Sequence, residues 1–166
     1  MTFKINDQVV YPAFGVGRVI GLVTKSFSER VEQPYYEVVG ERGTVWVQVS
    51  EAATAGLRAL TRKEELGTYR AVLRGRPVGL NQDARQRQTD FRNLLKRGAL
   101  QDLCEIVRDL SARGWVKPLG EYDAAGLRKG RDGLCQEWAA ADGVSLGQAT
   151  AEVSGLLREA RETFHV

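Results

Sequence analysis

Near residue 60 the spacing of apolar side chains changes from every second residue to every third or fourth, and this change divides the chain into two kinds of structure. Before it, Thr44 to Val49 alternates strictly, with Val45, Val47 and Val49 on one face of an extended segment and Thr44, Trp46 and Gln48 on the other. Tyr35 to Val39 is a second β-branched and aromatic run, and Gly40, Glu41, Arg42 and Gly43 between the two read as a hairpin loop. Upstream, Val9 and Tyr11 share one face of a strand that Pro12, lacking an N–H for a ladder, brings to a close. Gly15 and Gly17 then supply the backbone freedom to turn into a strand through Val19 to Val23. Ser26 to Pro34 reads as a polar loop. Four or five short strands in so few residues cannot build a wide sandwich, so a small SH3- or Tudor-like β-barrel is expected.

After the change the helical period dominates. Thr61 with Glu64 reads as a capping box ahead of Leu66, Tyr69 and Leu73, and the run breaks at Gly75 to Gly79. A second helix is predicted from about Gln82 to Gly98, carrying Ala84, Phe91, Leu94 and Leu95 inward. Leu100, Leu103, Cys104, Val107 and Leu110 mark a third, ending near Gly114. Asp123 reads as the cap of a fourth, with Leu127, Leu134 and Trp138 on one face, and Trp115 as packed in the turn before it. Ser145 with Gln148 forms a capping box for a fifth, with Leu146, Ala149, Val153, Leu156 and Ala160. Amphipathic stripes of this kind need one another, so a helical bundle follows. The expected fold is α+β: a β-barrel over residues 1–58 and a five-helix bundle over 59–166.

Composition narrows the function. Cys104 and Cys135 form no CxxC pair, and the single histidine, His165, sits at an end expected to fray. Neither a metal cluster nor a disulfide framework is expected, and both cysteines read as core residues. The histidine needed for a hydrolase triad is lacking, and neither GxSxG nor a phosphate-binding GxxxxGK[ST] occurs. Glu64 with Glu65, or Glu105 with Asp109, read as caps and surface ion pairs rather than paired catalytic carboxylates. No enzymatic activity and no cofactor are therefore expected. Residues 1–7 lack a signal-peptide pattern and no apolar window is long enough to span a bilayer, so a reducing, cytoplasmic setting is expected, without a membrane partner.

Two features point to binding. If the three valines of Thr44 to Val49 face the core, Trp46 faces outward, where a large aromatic removes much apolar area from water on docking; the other reading covers it with a loop or the second domain. A nearby open strand edge could also accept a partner's strand. The segment from Arg70 to Arg97 holds eight lysines and arginines against two aspartates, a larger excess than the whole chain's net charge of +3. Arg85 and Arg92 lie seven apart on the side away from Phe91 and Leu95, a spacing suited to tracking a DNA backbone, although solvated surface is the commoner use of such charge. No Asn or Gln accompanies these arginines at base-reading positions, so contacts would go to phosphates and groove shape.

The opening FKINDQVVYPAFGVGRV, the stretch KRGALQDLCEIVRDLSAR at 96–113 and the helices after Leu119 together resemble the CarD family of bacterial transcription regulators. The N-terminal part is similar to the polymerase-interacting domain of transcription-repair coupling factor. The resemblance implies a barrel that binds the β subunit of RNA polymerase and a helical domain that contacts double-stranded promoter DNA upstream of the melted region, modulating open-complex stability. It implies Lys25 and Trp46 as polymerase contacts, the family often having a basic residue at the latter. Arg87 matches a family arginine that meets the DNA backbone. Arg85, Arg92 and Arg113, the last residue of the second motif, are expected to join it as DNA contacts. Where the family commonly places a Trp that wedges into the minor groove, this chain has Ala84. A polymerase-binding adaptor without wedge activity is thus the first alternative. A KOW-like RNA- or ribosome-binding barrel is the second, and the even charge balance of residues 1–60 weighs against it. A monomer is expected.

Overall fold

The computed structural model describes residues 2–26 and 31–164, so positions 27–30 of the expected polar loop, and His165, lie outside the described residues. The chain divides into two compact units, Met1–Leu60 and Thr61–Val166.

The first unit is one antiparallel sheet of β1 (Gln8–Tyr11), β2 (Gly15–Lys25), β3 (Gln33–Gly40), β4 (Gly43–Gln48) and β5 (Arg58–Ala59), in the order β4-β3-β2-β1-β5. Its inner face buries Val9, Val19, Tyr36, Val38 and Val47, closed by Phe3, Ala52 and Leu57. The alternation of residues 44–49 holds: Val47 is buried and Val45 and Val49 pack against the same core, with Val49 already in a short 3-10 turn. Pro12 lies just beyond β1, in a turn closed by the Phe14 N–H donating to the Tyr11 carbonyl at 2.8 Å. Gly15, at φ 114°, serves that turn as expected.

Gly17 has another task. It is a strand residue, where a Cβ would lie 2.6 Å from Val38 Cγ1 and 3.0 Å from the Val39 carbonyl oxygen. The glycine is needed there for close strand approach rather than for turning. The polar loop is shorter than expected, since Gln33 and Pro34 already belong to β3. β5 has only two residues, too few for an alternation to reveal.

The second unit comprises α1 (Leu66–Leu73), α2 (Ala84–Arg97), α3 (Leu100–Val116), α4 (Glu121–Asp142) and α5 (Leu146–Phe164). Leu66, Leu73, Cys104, Val107, Leu134, Trp138 and Val153 meet in its core with essentially no exposure, and each large apolar side chain contributes roughly 1.5–3 kcal/mol through burial. A smaller cluster of Phe91, Ile106 and Leu110 seats α2 on α3. Gly98 ends α2 in the left-handed conformation at φ 68°. Ser145 and Gln148 form the expected reciprocal cap, at 3.0 and 3.1 Å.

Several sequence expectations require correction. Thr61 does not cap α1, because its hydroxyl and N–H both donate to the buried Glu137 carboxylate of α4. The cap of the 3-10 turn before α1 comes instead from Glu65, which accepts from the Arg62 N–H at 3.0 Å, a contact that lowers the carboxyl pKa. Asp123 lies inside the first turn of α4, whose N-cap is Gly120. Trp115 lies in the last turn of α3 rather than between helices, beneath the Arg161 guanidinium at 5.8 Å. Ala84 is exposed, and Arg87 takes the inward place one turn before Phe91.

Candidate protein and nucleic-acid interfaces

On the sheet unit, antiparallel pairing sets Trp46 opposite Glu37, while Lys25 stands opposite Gln33 at the end of β2. Because Tyr36 and Val38 point to the core, Tyr35 and Glu37 share the outer face with Trp46. Trp46 is 36% exposed, and the Lys25 ammonium sits 3.6 Å from the centre of its ring. At an exposed position such a cation–π contact is worth about 0.5–1 kcal/mol. It biases the indole toward one orientation and sets a positive charge over an aromatic surface. The two residues singled out from sequence are therefore neighbours in space.

The same unit has further apolar exposure. Ile20 at 45% and Leu22 at 62% lie on β2 next to a register shift between Val19 and Gly21. β1 pairs with β2 only at Gly15 to Arg18, so among the described residues Gly21 to Lys25 are laddered on the β3 side alone.

On the helical unit, Arg85 and Arg92 are exposed on one side of α2, and Lys96 continues the same stripe. Lys96 was not singled out from sequence, yet its offset of eleven from Arg85 is three helical turns and marks it. Asp83 caps this helix, its side chain accepting from the Arg85 N–H at 3.0 Å.

Arg87 is placed otherwise. It is 6% exposed, not on the surface expected of a backbone contact. Its Nε and Nη2 donate to the two Asp123 carboxylate oxygens at 3.1 Å each, and Nη1 donates to the Asn81 carbonyl at 2.7 Å. The bidentate fork pins α2 to the start of α4 and anchors the loop before α2. Asp123 also receives Arg113 of α3, at 3.5 Å, so Arg113 is only partly available to solvent. The buried carboxylate at the centre of this triad carried no local sequence signal beyond its place near a helix start.

Neither cysteine is set up as a nucleophile. Both are buried and free; burial, helped by the nearby Glu137 and Glu105 carboxylates, pushes the Cys104 thiol far above its usual range, and burial also raises Cys135. Among the described residues, no group of three or more His, Cys, Asp or Glu is arranged to hold a metal ion, and no helix is long and apolar enough to cross a membrane.

The described chain thus has an aromatic–cation patch on a Tudor-like sheet and a cationic stripe on a helical bundle. The chain matches the CarD-like/TRCF RID domain over residues 3–58 and the CarD C-terminal domain over residues 69–154. It belongs to the CarD family, a non-catalytic family of RNA polymerase-interacting transcription regulators.

Proposed function

We propose that the sheet unit docks on the β subunit of RNA polymerase through the face around Lys25 and Trp46, while the helical unit lays the Arg85, Arg92 and Lys96 stripe along upstream promoter DNA. The observation that carries this reading is the Lys25 ammonium stacked 3.6 Å over the exposed Trp46 ring, which makes an amphipathic anchor. DNA contact is through phosphates: the stripe is purely cationic, and Ala84 at the exposed start of α2 offers a methyl group where a wedge would need a large apolar side chain. Arg87, committed to Asp123, shapes α2 rather than touching DNA. The protein acts as a monomer in the cytoplasm, shifting the balance between closed and open promoter complexes by binding one more tightly.

The test is the lifetime of a competitor-challenged open complex, measured with wild type and with Arg85, Arg92 and Lys96 all changed to Ala. The expected result is a lifetime altered by wild type and not by the variant, with the variant's binding to duplex losing about 0.9 per lost phosphate contact in salt slope. A salt slope equal to that of wild type would remove the stripe from DNA contact.

The exposed Ala84 and the buried Arg87 also favour a second reading, a polymerase-bound adaptor without wedge activity. Footprinting separates the two, since an adaptor leaves the upstream edge of the bubble unprotected.

A further inference from the structure

The loop before α2 and the last two turns of α3 enclose a groove of about 330 Å³ that none of Arg85, Arg92 and Lys96 lines. Its interior is mainly apolar, formed by Pro77, Leu80 and Ala112 with Gln82 also on the lining, and its lips are Val78 and Val116, which are 60% and 70% exposed. The wall is held in place: the Val78 N–H donates to Asp109 Oδ1 at 2.9 Å, and Asp109 is itself paired with Arg108 at 2.8 Å. Two valines kept in water beside a braced hollow mark a surface that gains on being covered.

Charge decides what could cover it. Asp109, which lines the groove, is neutralised by Arg108. Asp123 is shared between Arg87 and Arg113, which leaves one positive charge over, and Arg113 lines the groove. Lys117, one turn further along, also lines it and has no acidic partner among the described residues. The hollow is therefore mainly apolar within and positive at one end. Duplex DNA supplies the negative charge but presents a convex sugar–phosphate surface with nothing apolar to insert; proteins meet it with protruding side chains rather than hollows. A protein segment with one or two apolar side chains beside carboxylates matches both properties, and the volume lies at the lower end of that for ligand sites.

We propose that this groove docks an acidic segment of a partner protein, its apolar side chains between Val78 and Val116 and its carboxylates on Arg113 and Lys117. This stands independently of the DNA reading of α2.

The test is a titration of the full-length, nitrogen-15-labelled protein with an acetylated and amidated Glu-Glu-Leu-Leu-Glu-Glu peptide, read by amide shifts. Saturable shifts confined to residues 77–82 and 109–117 are expected, with a dissociation constant below about 1 mM. Lys117→Glu and Val116→Asp each weaken binding about tenfold or more without lowering the melting temperature, because both side chains are exposed. Peptides with Ser for Leu, or Lys for Glu, do not bind. Shifts elsewhere, no saturation, or equal affinity for Lys117→Glu would overturn the proposal. Displacement of the peptide by a duplex oligonucleotide at equal ionic strength would also overturn it, in favour of a nucleic-acid site.

Discussion

Replacing Asp123 by Asn should unfold the helical unit far more readily than a surface change, and the size of the effect follows from the triad it centres. Asp123 and Arg87 have side chains only 7% exposed and share two hydrogen bonds of 3.1 Å, with Arg113 at 3.5 Å on the same carboxylate. Asparagine preserves the shape but removes the charge, leaving a buried guanidinium beside a second one with nothing to compensate either. Breaking a buried pair from one side costs about 3–5 kcal/mol. Asn can still accept one hydrogen bond, which puts the expectation near the lower end, about 3 kcal/mol. For a unit of this size that corresponds to a fall in melting temperature of about 12 °C or more. Circular dichroism of wild type, Asp123→Asn, Asp123→Leu, Arg87→Met and the double variant Arg87→Met with Asp123→Leu contains the full cycle. Each single variant should lose stability, and the double should lose less than the sum of Arg87→Met and Asp123→Leu, because it removes the two most deeply buried charges together and leaves only Arg113, whose side chain is 23% exposed. An Arg87→Met protein that melts within about 2 °C of wild type but binds duplex more weakly would refute the structural role and return Arg87 to the DNA.

Two further predictions concern packing. Gly17→Ala forces a Cβ to 2.6 Å from Val38 Cγ1 and should cost the sheet unit about 1–3 kcal/mol by urea titration; a cost below about 0.5 kcal/mol would mean β2 and β3 separate easily. Glu137→Gln removes the negative charge that accepts from the Thr61 hydroxyl at 2.5 Å and from its N–H at 3.3 Å, so about 1.5–3 kcal/mol of stability should be lost; Thr61→Val, tested alongside, should lose less because the N–H bond persists.

How far the fold was legible depended on how local its signals were. The period-two run at residues 44–49 placed Trp46 outside because an alternating strand leaves only one way to bury three valines. The helical stripes placed Phe91, Val107, Leu134 and Trp138 inside for the same reason at the longer period. Partnerships between distant residues were invisible. Arg87 sits on the Phe91 stripe, four residues before it, and a charge there implies a buried partner; that partner lies 36 residues away at the head of another helix. Thr61 and Glu64 satisfied a capping pattern, but the acceptor Thr61 uses is 76 residues distant, and a buried carboxylate outcompetes a local one exposed to water. Gly17 resembled a turn glycine because its crowding comes from β3, across the ladder. Of the candidate interface residues, Lys25 and Trp46 meet only because β2 and β4 are both paired to β3, a closeness that spacing along the chain does not show.

The most direct measurement is the affinity of immobilised core RNA polymerase for the full-length protein, comparing wild type with Trp46→Ala and with Lys25→Ala. Docking through the stacked pair predicts that Trp46→Ala loses about 2 kcal/mol, some thirtyfold in dissociation constant, and Lys25→Ala a smaller part, with neither changing the melting temperature by more than a few degrees. Equal binding by wild type and Trp46→Ala would place polymerase on some other face of the sheet.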